Sequence, residues 1–272
     1  MKRPRGLGDV VLVVIAILTL IFLVYPAVVI FIDSVQTDAT LFDPSRFGFT
    51  WNNYAKIFAA GFGRFLWNSI VVCTVATVLA TTFSAMAAYV FSRRRFPLRR
   101  LLLGAVLAGQ VFPWVVLVTP LFVLFARAGL TNTYTGIIFC YTAIGIPFSV
   151  YLLLGYLESI PPELDEAASI DGCSPPGVLW HVVLPLMVPG LVATATYAFL
   201  LCWTEFLFAL AFLTKQGMQT LPLGIAGFFG EDSTDWGAVM AGSAVMTLPA
   251  LLMFIPLQAR LSTGLTAGGV KQ

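Results

Sequence analysis

The sequence predicts an all-α integral membrane protein with six transmembrane helices in a single domain, 1–272. Three observations carry that reading. Of 272 residues, 59% are hydrophobic and 10% are charged, against about 25% charged in soluble globular domains. Mean hydropathy is +0.92. The charges are clustered, which leaves apolar stretches of about 18 residues or more, the length of a membrane span.

The first stretch covers about 10–32, between Asp9 and Asp33. It is longer than a signal-peptide core and no A-x-A cleavage pattern follows, so it is predicted to stay as a span. The others cover about 65–91, 101–126, 134–156, 184–213 and 236–257, with the turn "RAGLTNT" joining the third to the fourth. At about 1.5 Å rise per residue, each crosses a hydrocarbon core of about 30 Å.

Lys and Arg counts set the orientation. With the N-terminus inside, the inner segments hold Lys2, Arg3, Arg5, Arg93, Arg94, Arg95, Arg99, Arg100, Arg260 and Lys271. The outer segments hold Arg46, Lys56, Arg64, Arg127 and Lys215. Ten against five favours both termini in the cytoplasm, and alternation then makes the 158–183 loop cytoplasmic too.

That loop is anomalous. From Glu158 to His181 it holds five acids, Glu158, Glu163, Asp165, Glu166 and Asp171, and no Lys or Arg. Pro161 and Pro162 suit a first helical turn, and acids there complement the helix dipole. Gly172 sits where a C′ glycine ends a helix, and Ser174 before Pro175 reads as a cap that starts another. Leu164, Ala167, Ala168 and Asp171 share one face by spacing, with two alanines at its centre. Such a helix suits docking into a basic-rimmed groove; an ordinary solvated connection is the competing reading.

The stretch "EAASIDG", nine further residues and then "VVLP" resembles the EAA motif of permease subunits in bacterial binding-protein-dependent ABC importers. Glu166, Ala167, Ala168, Gly172, Leu184 and Pro185 match the pattern, and Val182 takes the place of the usual Ile. "FTWNNYAKIF", "GLTNTYTGII", "CWTEFLFAL" and the tail "TGLTAGGVKQ" resemble the MalG-type subunits of carbohydrate importers. Cys173, the "SPP" at 174–176 and Thr204 depart from that pattern without removing a motif residue.

The resemblance implies a type I importer (MetI-like) transmembrane domain. Glu166, Ala167, Ala168, Asp171, Gly172, Leu184 and Pro185 would then belong to a coupling element that docks on a cytoplasmic ATPase. It also implies that the tail, 260–272, reaches the ATPases through Gly264, Leu265, Thr266, Gly268 and Lys271, although its composition alone reads as flexible. Implied partners are a second six-span permease forming a heterodimer, two copies of a P-loop ATPase, and an extracytoplasmic solute-binding protein.

Glu205 is the one acid well inside an apolar stretch, about 15 Å below the outer end of its span. An ionisable group there is functional by default. It is expected, with Trp203, in the translocation path, where it would bind a sugar hydroxyl; a carboxylate bonded to a neighbouring helix is the alternative. Pro113, Pro120, Pro147, Pro185, Pro189, Pro249 and Pro256 fall in or beside spans, as kinks or hinges. Trp51, Tyr54 and Phe58 share a face of a short outer helix and suit the membrane interface or an external partner.

Other chemistry finds little support. Cys73, Cys140, Cys173 and Cys202 lack a CxxC spacing and read as small hydrophobes. One histidine excludes a multi-histidine metal site, and no lysine follows a glycine, so the chain has no P-loop. No metal, cofactor or nucleic acid is therefore expected in the chain, and ATP with Mg²⁺ belongs to the partner ATPase. A self-contained secondary transporter or channel is the alternative, but it predicts several intramembrane titratable groups.

Overall fold

The computed structural model describes residues 7–41, 43, 46–230 and 233–268. Its helices begin with α1 (Leu7–Asp33), α2 (Asn52–Ala59) and α3 (Phe62–Arg93), followed by α4 (Arg99–Val111), α5 (Trp114–Arg127) and α6 (Tyr134–Leu157). The acidic loop holds α7 (Glu163–Ile170), α8 (Pro175–Val178), one π-helical turn (Leu179–Val183) and α9 (Leu184–Leu186). Then come α10 (Val188–Trp203), α11 (Leu207–Phe212), α12 (Leu221–Ala226) and α13 (Trp236–Gly268). Among the described residues, β pairing is limited to two isolated bridges, Gln36 with Phe49 and Phe229 with Thr234.

Four helices are long and apolar enough to cross a membrane, α1, α3, α6 and α13, and counting each of two bent pairs as one span gives six. The first bent pair is α4 with α5, at 103°. Pro113 forces the residue before it out of the helical region, and Phe112 is extended at φ −73°, ψ 131°. Span three is thus broken there, whereas Pro120 and Pro147 are accommodated inside α5 and α6. The second pair, Pro175–Leu186 with Val188–Trp203, bends by 81°. The predicted 184–213 stretch therefore contains α9, α10 and α11 with a bend and a break, not one straight helix.

Residues up to Phe62, together with 225–248, form one compact unit. In it, α1 exposes its apolar side chains all round and none of its apolar window is buried, as a lipid-facing helix does. Buried Asn53 holds the end of α1 by donating to the Ser34 and Gln36 carbonyls, at 3.1 and 2.8 Å. Lys56 bridges Asp38 and Asp235 at 3.4 and 3.3 Å. Trp51, which caps the start of α2, and Phe58 on α2 are exposed, and the Tyr54 ring lies tilted beside that of Trp51 at 5.5 Å.

The second unit, 63–224 with 249 onward, packs α3, α6 and α10 closely. A Cβ placed on Gly145 would stand 3.3 Å from the Ala80 methyl and 4.0 Å from that of Ala198. Small residues at that meeting point let helix backbones approach, which is how helices gain packing where lipid removes the hydrophobic drive. At Gly190 the approach is closer still, because a Cβ there would lie 2.6 Å from Cγ of Tyr156 on α6.

Candidate coupling site

α7 is short, and its ends are built by the residues its sequence supplies. Pro162 stands at the N-cap with φ −65°, and Glu163, Asp165 and Glu166 follow in the first turn. The helix stops in a Schellman motif. Gly172 adopts φ +88°, its N–H donates to the Ser169 carbonyl at 3.1 Å, and the Cys173 N–H donates to that of Ala168 at 3.0 Å. Ser174 caps α8 through its carbonyl, which accepts from Val178 N–H at 2.9 Å, and not through its hydroxyl.

The face expected to dock is split: Ala168 turns inward, while Leu164, Ala167 and Asp171 stay exposed. Ala168 is buried among Ala85, Ala88 and Tyr89 of α3, Leu153 and Leu157 of α6, and Leu179 and Val183 of the π-helical turn. Its neighbour Ala167 is exposed. The free face carries Glu163, Glu166, Ala167 and Ile170, spaced i, i+3, i+4, i+7, and Ile170 is 87% exposed. An apolar residue so exposed at the end of an acidic helical face suits a protein contact better than water.

One acid of the loop is largely withdrawn from water. The Asp165 carboxylate pairs with Arg93 Nε at 3.2 Å, with the side chains only 11% and 14% exposed for Arg93 and Asp165. Arg93 Nη2 also donates to the Ile160 carbonyl at 2.8 Å. The last residue of a long apolar helix thus holds both the start of the loop and α7, across 72 residues of sequence. Combined with the shared apolar core, this makes α7 one solid piece with the adjoining ends of α3 and α6.

Residues 80–266, which contain α6, α7, the π-helical turn and the end of α3, match the family described as binding-protein-dependent transport system inner membrane component. The chain belongs to that family. It is 36% identical over 275 residues to the trehalose/maltose transport system permease protein MalG of Thermococcus litoralis, covering 99% of both chains. It is 36% identical over 252 residues to the sulfoquinovosyl glycerol transport system permease protein SmoH of Agrobacterium fabrum, covering 91% of this chain and 88% of that one. A solved bacterial ABC transporter involved in alginate import shares the fold, with a TM-score of 0.78 at 20% identity, over 95% of this chain and 98% of that one. The protein is therefore a membrane-embedded permease subunit of an ABC importer, with a type I, MetI-like transmembrane fold.

In this permease Leu184 and Pro185 lie in α9, just after the π-helical turn and just before the 81° bend. The motif therefore runs from the free face of α7 to the bend that starts α10. The π-helical turn, a form frequent at functional sites, buries Leu179 and Val183 and exposes Trp180 and His181. Beside it lies an apolar cavity of about 380 Å³, lined by α3 residues including Thr77 and Met86 and by Trp180, Leu184 and Leu191.

Glu205 and Trp203 do not line that cavity. Trp203 is 1% exposed and stacks on Phe199 at 5.4 Å. Glu205 sits in the break between α10 and α11, where both carboxylate oxygens are engaged. Oε1 accepts from Phe208 N–H at 2.8 Å, and Oε2 accepts from Ala209 N–H at 3.1 Å and from Tyr141 Oη at 2.9 Å. A carboxylate on two first-turn amides satisfies the exposed donors of α11 and complements its dipole. This arrangement matches the alternative of a carboxylate bonded to a neighbouring helix, here Tyr141 of α6.

The tail differs from its compositional expectation. The backbone of α13 stays helical through Gly268, so Gly264, Leu265, Thr266 and Gly268 lie on a helix, and Lys271 lies outside the described residues. A lone interior glycine such as Gly264 costs a helix about 1 kcal/mol, too little to end one so long.

Proposed function

We propose that this permease serves a carbohydrate importer and pairs with a second, related six-span permease around a shared path. Two copies of a cytoplasmic P-loop ATPase would hold ATP and Mg²⁺, and an extracytoplasmic binding protein would deliver the solute. The sugar assignment rests on the relatives named for trehalose/maltose, sulfoquinovosyl glycerol and trehalose transport. The excess of Lys and Arg on one set of loops supports cytoplasmic termini and a multi-pass place in the cell's inner membrane.

The observation that carries the coupling role is the free face of α7 on a helix otherwise locked to its own chain. Closure of the ATPases would push Glu163, Glu166, Ala167 and Ile170. Because Arg93 and the apolar core bind α7 to α3 and α6, the displacement would reach the spans directly. The bend after α9 would then let α10 turn separately. The tail residues Gly264 to Lys271 would contact the ATPases as a second point of attachment. Glu205 and Trp203 would shape the path at the α10–α11 break.

The test is co-purification from the native membrane followed by mass spectrometry. A second six-span protein and a P-loop ATPase are expected, with the ATPase lost on Ile170→Asp while the thermal melting of the permease stays unchanged. Uptake with labelled trehalose, maltose and a non-sugar solute would assign the cargo. A chain that purified alone and moved solute in liposomes without ATP would sink the proposal.

A further inference from the structure

The five residues Arg94–Leu98 join α3 to α4, two apolar helices of the membrane domain, so this turn lies at a membrane surface. There Arg95, Phe96, Leu98, Arg99, Arg100 and Leu101 surround a cavity of about 460 Å³. The lining contains three guanidinium groups and no carboxylate. No ion pair involves Arg95, Arg99 or Arg100 among the described residues. Nε of Arg99 is enclosed by protein yet has no hydrogen-bond partner. A buried donor without an acceptor costs about 1–3 kcal/mol, so an oxyanion supplied from outside would relieve it. The turn is a defined shape: Leu98 is held at φ +64° and Phe96 packs on Phe91 at 6.0 Å.

From this geometry we propose that the cavity is a binding site for the phosphate headgroup of an anionic phospholipid. Guanidinium forks match phosphate oxygens in pairs, and polybasic clusters at the membrane surface attract anionic lipids. A lipid fits better than a free phosphate because the rim is apolar: Leu98, Leu101 and Leu102 are 65%, 66% and 48% exposed and offer a bed for acyl chains. The first turn of α4 adds the positive end of a 13-residue helix. Bound lipid would fix the α3–α4 turn one residue beyond Arg93. The inference goes beyond the transport reading and needs only the membrane location.

The test is native mass spectrometry of the intact assembly, stripped of lipid and titrated with phosphatidylglycerol, phosphatidylcholine or inorganic phosphate. Phosphatidylglycerol is expected to bind at about tenfold lower concentration than phosphatidylcholine. Arg99→Gln with Arg100→Gln should erase that preference, while Arg93, Arg94 and Arg95 keep the inside charge that sets topology. Arg99→Lys, which keeps the charge and loses the fork, should give an intermediate preference and controls for misfolding. Equal binding of the two lipids, or a preference unchanged in the double variant, would overturn the proposal. So would inorganic phosphate displacing the lipid at equal concentration, which would mark a free-anion site. Loss of an ATPase subunit with lipid binding unchanged would also overturn it and assign the arginines to a protein contact.

Discussion

Each unit of the permease has a cation that ties a helix to a distant segment, and the two ties differ in kind. Arg93 meets Asp165 with both side chains largely buried, at 11% and 14% exposure. Lys56 meets Asp38 and Asp235 in the open, with exposures of 36%, 69% and 37%. Water and salt screen the second tie, with a Debye length of about 8 Å at physiological ionic strength, and leave the first mostly unscreened. The buried pair also has a fixed geometry, because a planar guanidinium serves Asp165 and the Ile160 carbonyl together. The strong link is therefore the one between α7 and a span, where the proposed coupling would transmit movement.

The sharpest way to break this comparison is Arg93→Ala. It leaves a buried carboxylate unpaired and should cost about 3 kcal/mol, read as a fall in the melting temperature of the purified assembly and as ATP hydrolysis uncoupled from uptake. Arg93→Met with Asp165→Leu should recover much of the stability, since an apolar pair replaces an ionic one. A single variant that melts within the error of the parent would show the link to be as weak as a surface pair.

Glu205 is a third case, a carboxylate held by a phenol and two amides instead of a cation. Glu205→Ala should cost about 2 kcal/mol, because it frees two helix amides and the Tyr141 hydroxyl. Glu205→Gln should cost less, since its carbonyl still accepts from the helix. Both should lower melting and uptake together. A raised KM for solute at unchanged melting temperature would return Glu205 to direct contact with the cargo.

Gly172→Ala probes the end of α7 without touching any charge. The φ of +88° is one that a residue with a Cβ adopts at a cost of about 1 kcal/mol. Partial loss of coupling is expected, with Arg93 still holding the helix. A loss as large as that from Arg93→Ala would place the rigidity of the loop in its Schellman turn instead of in the ion pair.

These residues also mark how far the sequence could be read. Span positions, α7, its glycine stop and the restart at Ser174 were legible because each depends on local chemistry, length, apolarity, proline and glycine. The side of α7 that turns inward was not, since Ala167 and Ala168 are alike and only the core around Ala168 chooses between them. The exposed Ile170 misdirects a reading that sends apolar residues inside. The break at Glu205 has no proline or glycine within it, and the Tyr141 hydroxyl that bonds the carboxylate there comes from 64 residues away. Arg93 was legible as part of a topology signal, and its partner was hidden because Asp165 looks like every other acid of the loop.

The smallest effect belongs to Lys56, and its pH dependence has a definite sign. Burial lowers its pKa, but hydrogen bonding and charge attraction from Asp235, and then from Asp38, outweigh that, so the value stands above the ordinary 10.5. The folded state thus holds this proton more tightly than the unfolded one, and the stabilisation is complete below about 10.5 and lost as pH rises through the folded value. Between about pH 6 and 9 the melting difference between the parent and Lys56→Met should be flat and no more than about 0.5 kcal/mol, as for other exposed pairs. It should shrink with added salt, while the Arg93→Ala difference stays nearly constant. Equal salt sensitivity of the two variants would erase the distinction between a screened and an unscreened tie, and with it the reason to place the transmitted force on Arg93.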